Sequence, residues 1–299
     1  MAKFVGAALG SIFAAVFPSE CRLCRAPLAN LSRLSVCDEC LAKINPITGL
    51  RCHVCGDSLP SATPVADGGP TLCAACRQEL PAFAHASSYG AYLDELRELI
   101  HLLKYQQVRS AAGVLGRLLA QAAEPLFSAD DRLAAAESVL VLPVPLHAGK
   151  FRERGFNQAE LIAQAALREL GRNSGRNLEF DTTVLFRRRA TESQVGMSRE
   201  QRRENIRGAF TVSREHVAGR EVLLIDDVMT TGATVSECAR VLRAAGAKAV
   251  FVVTVARSSR QSSGFSTAAS ATAFAGAQEA SYREEAVGAA LVGARGPLA

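Results

Sequence analysis

The stretch that decides the fold is Val222-Leu-Leu-Ile-Asp-Asp-Val-Met-Thr-Thr-Gly-Ala-Thr234. Its first four residues are an unbroken apolar run, the pattern of a strand buried on both faces. Two adjacent acids, Asp226 and Asp227, follow at the carboxyl edge, where open α/β sheets bind their ligands. A Thr- and Gly-rich turn then enters a helix predicted over 234–245 and ended by Gly246. The N-terminus of a helix offers unpaired N–H groups and a positive dipole end, so it accommodates a phosphate. Gly232 lets the backbone approach the anion, and Thr230, Thr231 and Thr234 add hydroxyl donors. Carboxylates that accept from vicinal hydroxyls, beside an anion nest, suit a sugar phosphate. The plainer alternative is a sheet-end turn whose acids cap the next helix, but a cap uses one acid. No G-K-[ST] follows the turn, so a Walker-type loop is excluded.

The flanking sequence alternates in the same way. Strands are predicted over 83–89, 139–144 and 249–255, of which 139–144 is the short apolar run of a buried strand. Leu93, Leu96, Ile100 and Leu103 recur at helical spacing, giving an amphipathic helix over 92–105. A second helix is expected over 111–123, stopped by Pro125, and a third over 157–170, closed by Gly171. Strand–helix alternation of this kind specifies an α/β fold: a parallel sheet flanked by helices.

Eight of the nine cysteines stand in C-x-x-C pairs: Cys21/Cys24, Cys37/Cys40, Cys52/Cys55 and Cys73/Cys76. Two such knuckles converge on one tetrahedral ion, so the eight ligands are expected to hold two structural zinc ions. Sequential sharing of the pairs is the simpler arrangement, with interleaving left open. The zinc reading also implies a reducing compartment, which argues against secretion. His53 lies inside the third knuckle and is read as a bystander. Cys238 falls with Val235, Leu242 and Ala245 at helical spacing and reads as a core thiol.

Composition narrows the classes further. The 299 residues are 48% hydrophobic and 21% charged, enough for a real core. A net charge of +5 tolerates an anionic ligand without demanding nucleic acid. Aromatics at 6% with no Trp are thin for a protein that mainly stacks bases. No apolar run reaches the ~18 residues of a membrane span. Residues 4–17 are apolar but lack a cleavage pattern, so 1–18 is expected to be a short docking helix. The segment 258–299 is rich in Ser, Ala, Gly and Gln and is read as a flexible tail.

Two basic segments complete the inventory. After the strand ending near Val144, the loop Lys150-Phe-Arg-Glu-Arg-Gly-Phe-Asn-Gln158 offers Lys150, Arg152 and Arg154 for a pyrophosphate. His147, just before it, reads as structural. From Arg187 to Phe210 the chain carries seven Arg against three Glu. That pattern fits a basic lid, a solvated loop or a groove for nucleic acid.

The 222–234 segment resembles the phosphoribosyl pyrophosphate (PRPP) motif of type I phosphoribosyltransferases. The resemblance implies that Asp226 and Asp227 contact the ribose hydroxyls, as the catalytic pair. It also implies that Thr230, Thr231, Gly232, Ala233 and Thr234 cradle the 5′-phosphate, with magnesium accompanying PRPP. With the cysteine pairs in front, the chain resembles the ComF family of competence-type proteins. Arg154-Gly-Phe-Asn-Gln158, Leu103-Lys-Tyr105 and the series Thr191…Gln194…Arg203…Asn205…Phe210 are similar to that family too. The implied organisation is a helix (1–18), a double zinc ribbon (19–82), a phosphoribosyltransferase-like domain (83–257) and a tail (258–299). The implied setting is the cytoplasm of a bacterium, in DNA uptake for natural transformation. The implied activity leans to a phosphoribosyltransferase of the glycosyltransferase class with no identified acceptor. The alternative is a non-catalytic binder that keeps a pocket for PRPP or another 5′-phosphorylated ligand. Its partners would be single-stranded DNA or a DNA-uptake helicase.

Overall fold

The computed structural model describes residues 19–28, 33–60, 69–191 and 197–258. The helix expected over 1–18 and the tail from residue 259 lie outside the described residues. Five strands form one parallel sheet: β1 (His85–Ala91), β2 (Val139–Pro143), β3 (Leu178–Phe180), β6 (Glu221–Met229) and β7 (Ala249–Arg257), in the order β1-β7-β6-β2-β3. The short strands β4 (Leu185–Arg187) and β5 (Phe210–Val212) form a separate antiparallel pair. β7 is buried along its whole length, as its apolar sequence requires of an inner parallel strand.

Helices α3 (Asp94–Tyr105), α4 (Ala111–Ala129) and α7 (Gln158–Ser174) cover one face of the sheet, and α9 (Ala233–Ala244) covers the other. Alternation along β6 divides its side chains accordingly. Leu223 and Ile225 join the α3/α4/α7 core, whereas Val222 and Leu224 pack with Cys238, Ala239 and Leu242 of α9. Cys238 is fully buried there, the core thiol its spacing indicated. Gly116 lets α4 lie against α7, since a Cβ at that position would collide with Ala165.

Several boundaries differ from the sequence expectation. α4 runs through Pro125 to Ala129. Burial of Leu126 and Phe127 outweighs the one hydrogen bond that Pro125 removes near the helix end. α7 passes Gly171 and stops at Gly175, which takes the left-handed conformation at φ +60°. The segment read as a basic loop contains a helix, α6 (Ala148–Arg154), ended by Gly155 at φ +77°. His147 caps it, with Nδ1 accepting from the Gly149 N–H at 3.2 Å. β6 extends four residues past Ile225, so both acids lie within the strand.

Candidate sugar-phosphate and metal sites

The eight paired cysteines form two clusters with sequential sharing: Cys21, Cys24, Cys37 and Cys40, then Cys52, Cys55, Cys73 and Cys76. In each, the four Sγ atoms lie within 4.8 Å of one another, compact enough for one tetrahedral ion. The short helices α1 (Asp38–Ala42) and α2 (Ala74–Gln78) each start directly after a cysteine, Cys37 and Cys73. Amide donors converge on the first cluster: Leu23 and Cys37 donate N–H to Cys21 Sγ at 3.4 and 3.3 Å. The clusters differ in exposure. Cys24 is exposed and Cys37 half-buried, whereas all four sulfurs of the second cluster are buried. Gly56 closes the third knuckle at φ +68°, where a Cβ would come within 2.7 Å of the Ala86 carbonyl of β1. His53 is outside both tetrads, as expected.

A cavity of about 280 Å³ opens at the carboxyl end of β6. Asp226, Asp227, Thr230 and Thr234 line it from β6 and the turn into α9. Gly232 caps α9 at φ +80°, and Ala233 N–H reaches Thr231 Oγ1 at 3.4 Å. The chain thus passes from the strand end into α9 through a turn lined by threonines, with Ser236 N–H making the first helical bond, to the Gly232 carbonyl.

The two acids are not equivalent. Asp227 continues the Leu223–Ile225 side of β6 and is 3% exposed. Its Oδ2 is paired with Lys104 of α3, and its Oδ1 accepts from Gln158 Nε2 of α7 at 3.2 Å. Burial pushes the Asp227 carboxyl up, but Lys104 and the hydrogen bonds outweigh it and hold the group below the usual carboxylate range. Burial likewise works against the Lys104 ammonium, and Asp227 more than restores it. Asp226 is partly open to the cavity, and its Oδ1 accepts the Asp227 N–H at 2.9 Å. Burial and the neighbouring Asp227 charge push its carboxyl well above the ordinary value. Both acids line the cavity, but Asp227 is engaged through both oxygens, whereas Asp226 is held through Oδ1.

The cavity wall also holds Arg187, Tyr92 and Lys104, which were not among the candidate site residues. Arg187, the last residue of β4, stacks on Phe210 with 5.5 Å from Cζ to the ring centre. Its Nε is buried and has no hydrogen-bond partner among the described residues. Tyr92 lines the opposite side and shares a 2.9 Å hydrogen bond with His101 Nε2. Lys104 carried a usable signal: it falls four residues after Ile100 and eight after Leu96, on the buried stripe of α3. A charge on an apolar stripe needs a partner.

Lys150, Arg152 and Arg154 do not line the cavity; Val144, Pro145 and Leu146 do. The reason is the helix α6, whose side chains point outward. Lys150 pairs with Glu153 at 2.8 Å, both largely exposed. Arg154 lies nearest the wall, bonded to Gln158 and 5.6 Å over the Tyr105 ring. Within the basic 187–210 segment, α8 (Arg199–Ile206) has a capping box of Ser198 and Gln201. Arg203 of α8 grips Glu79 beside the second cysteine cluster through both terminal nitrogens.

Comparison with known proteins agrees with this architecture. The double zinc ribbon domain family matches residues 12–77, and the phosphoribosyl transferase domain family matches residues 157–266. A relative from Salmonella typhi, DNA utilization protein YhgH, is 34% identical over 79% of this chain and 95% of its own length. Competence protein F of Haemophilus influenzae is 30% identical over 81% of this chain and 98% of its own. A solved structure of the allosteric regulatory enzyme of purine biosynthesis aligns at a TM-score of 0.28 with 26% identity, over 49% of this chain and 26% of that one. Among the described residues no helix is long and apolar enough to cross a membrane. The chain belongs to the ComF family of competence-type proteins, in which a double zinc ribbon precedes a phosphoribosyltransferase-like domain.

Proposed function

We propose that this protein binds PRPP, or a ligand sharing its 5-phosphorylated ribose, at the end of β6, in the service of DNA uptake. One observation carries the reading: Asp226, Thr230 and Thr234 share the wall of one cavity at the N-terminus of α9. The phosphate takes the nest of Thr230, Thr231, Gly232, Ala233 and Thr234, and the ribose hydroxyls lie against Asp226. The relatives' names, DNA utilization protein and Competence protein F, support a setting in natural transformation, in the cytoplasm.

Turnover would pass through an oxocarbenium-like sugar, with leaving pyrophosphate carrying most of the charge. In the wall, Lys104 and Arg187 are the fixed cations that face such charge. Magnesium, which PRPP ordinarily brings, supplies further charge neutralisation on the diphosphate. The two acids of β6 would offer that ion few oxygens. Three of the four carboxylate oxygens of Asp226 and Asp227 are engaged by Lys104, Gln158 and an amide, whereas Mg²⁺ takes about six oxygens. Titration calorimetry with PRPP tests the reading: binding by the parent and its loss in Asp226→Asn support it. No heat in either removes it.

A second reading, a binder without turnover, is favoured by one feature of the wall. Neither acid is placed as a free base, since Asp227 is ion-paired with Lys104 and Asp226 already accepts the Asp227 N–H through Oδ1. On this reading single-stranded DNA with a 5′-phosphate, or a helicase partner, uses the pocket and the basic 187–210 segment. Release of pyrophosphate with any acceptor favours the enzyme. Salt-sensitive retention of single-stranded DNA without such release favours the binder.

A further inference from the structure

We propose that Lys104 is the resident cation of the β6 cavity, so that the 5-phosphorylated sugar is held without a protein-bound divalent ion. The proposal rests on the sugar-phosphate reading above and deepens it. The Lys104 side chain is 16% exposed and lines the cavity, and its ammonium is paired with Asp227. It cannot withdraw easily, because its neighbours Leu99, Ile100 and Leu103 are fully buried and fix α3 against the sheet. Gln158 from α7 holds the other oxygen of Asp227, so three elements converge on one charge position. An ammonium has three N–H donors, and one pairing with Asp227 leaves it able to donate into the cavity.

The geometry also disfavours a divalent ion at this place. Mg²⁺ is held through one or two carboxylates at roughly 2.0–2.1 Å, together with substrate phosphates and water. Both oxygens of Asp227 are engaged, and Asp226 retains one that is not held by the Asp227 amide. Arg187 stands on the cavity wall as a second cation, its buried Nε unpartnered among the described residues. Two cations on one wall, with Asp227 already paired, attract an anion directly.

The alternative is that Lys104 only staples α3 to β6, which predicts a stability effect and nothing else. Calorimetric titration with ribose 5-phosphate, with magnesium added or omitted, separates the two. Magnesium is omitted without a chelator, so that the cysteine clusters are undisturbed. The expected result is equal affinity in the parent with and without magnesium, within about twofold. Lys104→Met should lose about tenfold without magnesium and recover part of it when the ion is added, because Asp227 is then free to hold it. Lys104→Arg should remain independent of magnesium. Binding by the parent only with magnesium overturns the proposal while leaving the sugar-phosphate reading intact. Unchanged, magnesium-independent binding by Lys104→Met also overturns it. No binding of ribose 5-phosphate under any condition overturns both. Should Lys104→Met fail to fold by circular dichroism, Lys104→Gln takes its place, and the parent titrations still decide.

Discussion

Arg257, the last residue of β7, donates from Nε to Asp57 Oδ1 at 3.0 Å, tying the end of the parallel sheet to the second cysteine cluster. Both side chains are buried, at 2% and 6% exposure. Arg257 Nη2 also lies 3.4 Å from Cys55 Sγ, an N–H···S contact that favours the thiolate form a metal needs. Its backbone stands in register with Met229, directly before the threonine turn. Breaking a buried ion pair from one side costs about 3–5 kcal/mol. Arg257→Met should therefore lower stability by that order in urea unfolding, and Arg257→Met with Asp57→Leu should restore part of the loss. Additive losses in the double variant would show that the pair is not coupled.

The difference in exposure between the clusters gives a second expectation. Cys24 is exposed and Cys37 half-buried, whereas Cys52, Cys55, Cys73 and Cys76 are all buried. Metal should leave the first cluster before the second when a chelator is added, so release followed by a chromogenic zinc indicator should have two phases. Cys24→Ser should abolish the fast phase and spare the slow one. A single phase carrying both equivalents would contradict this.

Two glycines should respond to substitution in opposite directions. Gly56 has a positive φ, and a Cβ there meets the Ala86 carbonyl, a backbone atom with no freedom to swing away. Gly56→Ala should destabilise by more than the ~1 kcal/mol of backbone strain alone and should weaken metal retention. Gly171 lies inside α7 with open space around it. Gly171→Ala should stabilise by roughly 0.5–1 kcal/mol, by removing backbone freedom from the unfolded chain. Thermal melts of the two variants provide the comparison.

The extent to which these features were legible varies by residue. The parallel sheet and the nest were readable because Val222–Ile225 and the Thr230–Thr234 turn are local patterns, each completed within a few residues. The cysteine clusters were readable for the same reason, four identical spacings in the first quarter of the chain. What escaped reading depends on long-range contact. Arg257 and Asp57 are 200 positions apart, and Asp227 meets its two partners across 69 and 123 positions. The different surroundings of Asp226 and Asp227 were not legible because they arise from β6 running on to Met229, where a continuing strand turns successive side chains to opposite faces. The basic residues of the 150s were placed on a loop because Phe151, Arg152 and Glu153 show no apolar periodicity. α6 forms there without a buried face.

An acid-sensitive contact lies away from the cavity. The Arg132 guanidinium, through Nε and Nη2 at 3.0 and 2.7 Å, holds the Asp130 carboxyl down at about 2. His85 Nε2 stands 3.1 Å from the same carboxylate. The folded value lies below the unfolded one of about 3.9, so this contact stabilises fully above the unfolded value and is lost as pH falls toward 2. The stability gap between the parent and Asp130→Asn, measured by urea unfolding, should be wide at neutral pH and close between about pH 4 and 2. A gap independent of pH would mean that the carboxylate charge is not what stabilises.

The unequal acids of β6 lead to a separable pair of outcomes. Asp226 has an oxygen toward the cavity, and burial with the adjacent Asp227 already raises its pKa. Asn keeps the shape of the side chain and the oxygen that accepts the Asp227 N–H, so the fold should tolerate the replacement with little loss. Its contact to a ribose hydroxyl should suffer, with affinity for PRPP falling about tenfold or more. Asp227→Asn instead strands the buried Lys104 charge, a change of about 3–5 kcal/mol in stability. The Lys104→Met/Asp227→Leu double variant removes both charges and should unfold at a denaturant concentration close to that of the parent. Urea unfolding and PRPP titration of all three variants then sort the roles. Asp226 should appear in binding, Asp227 chiefly in stability. Equal stability losses from the two single Asn substitutions would show that the strand does not divide their work.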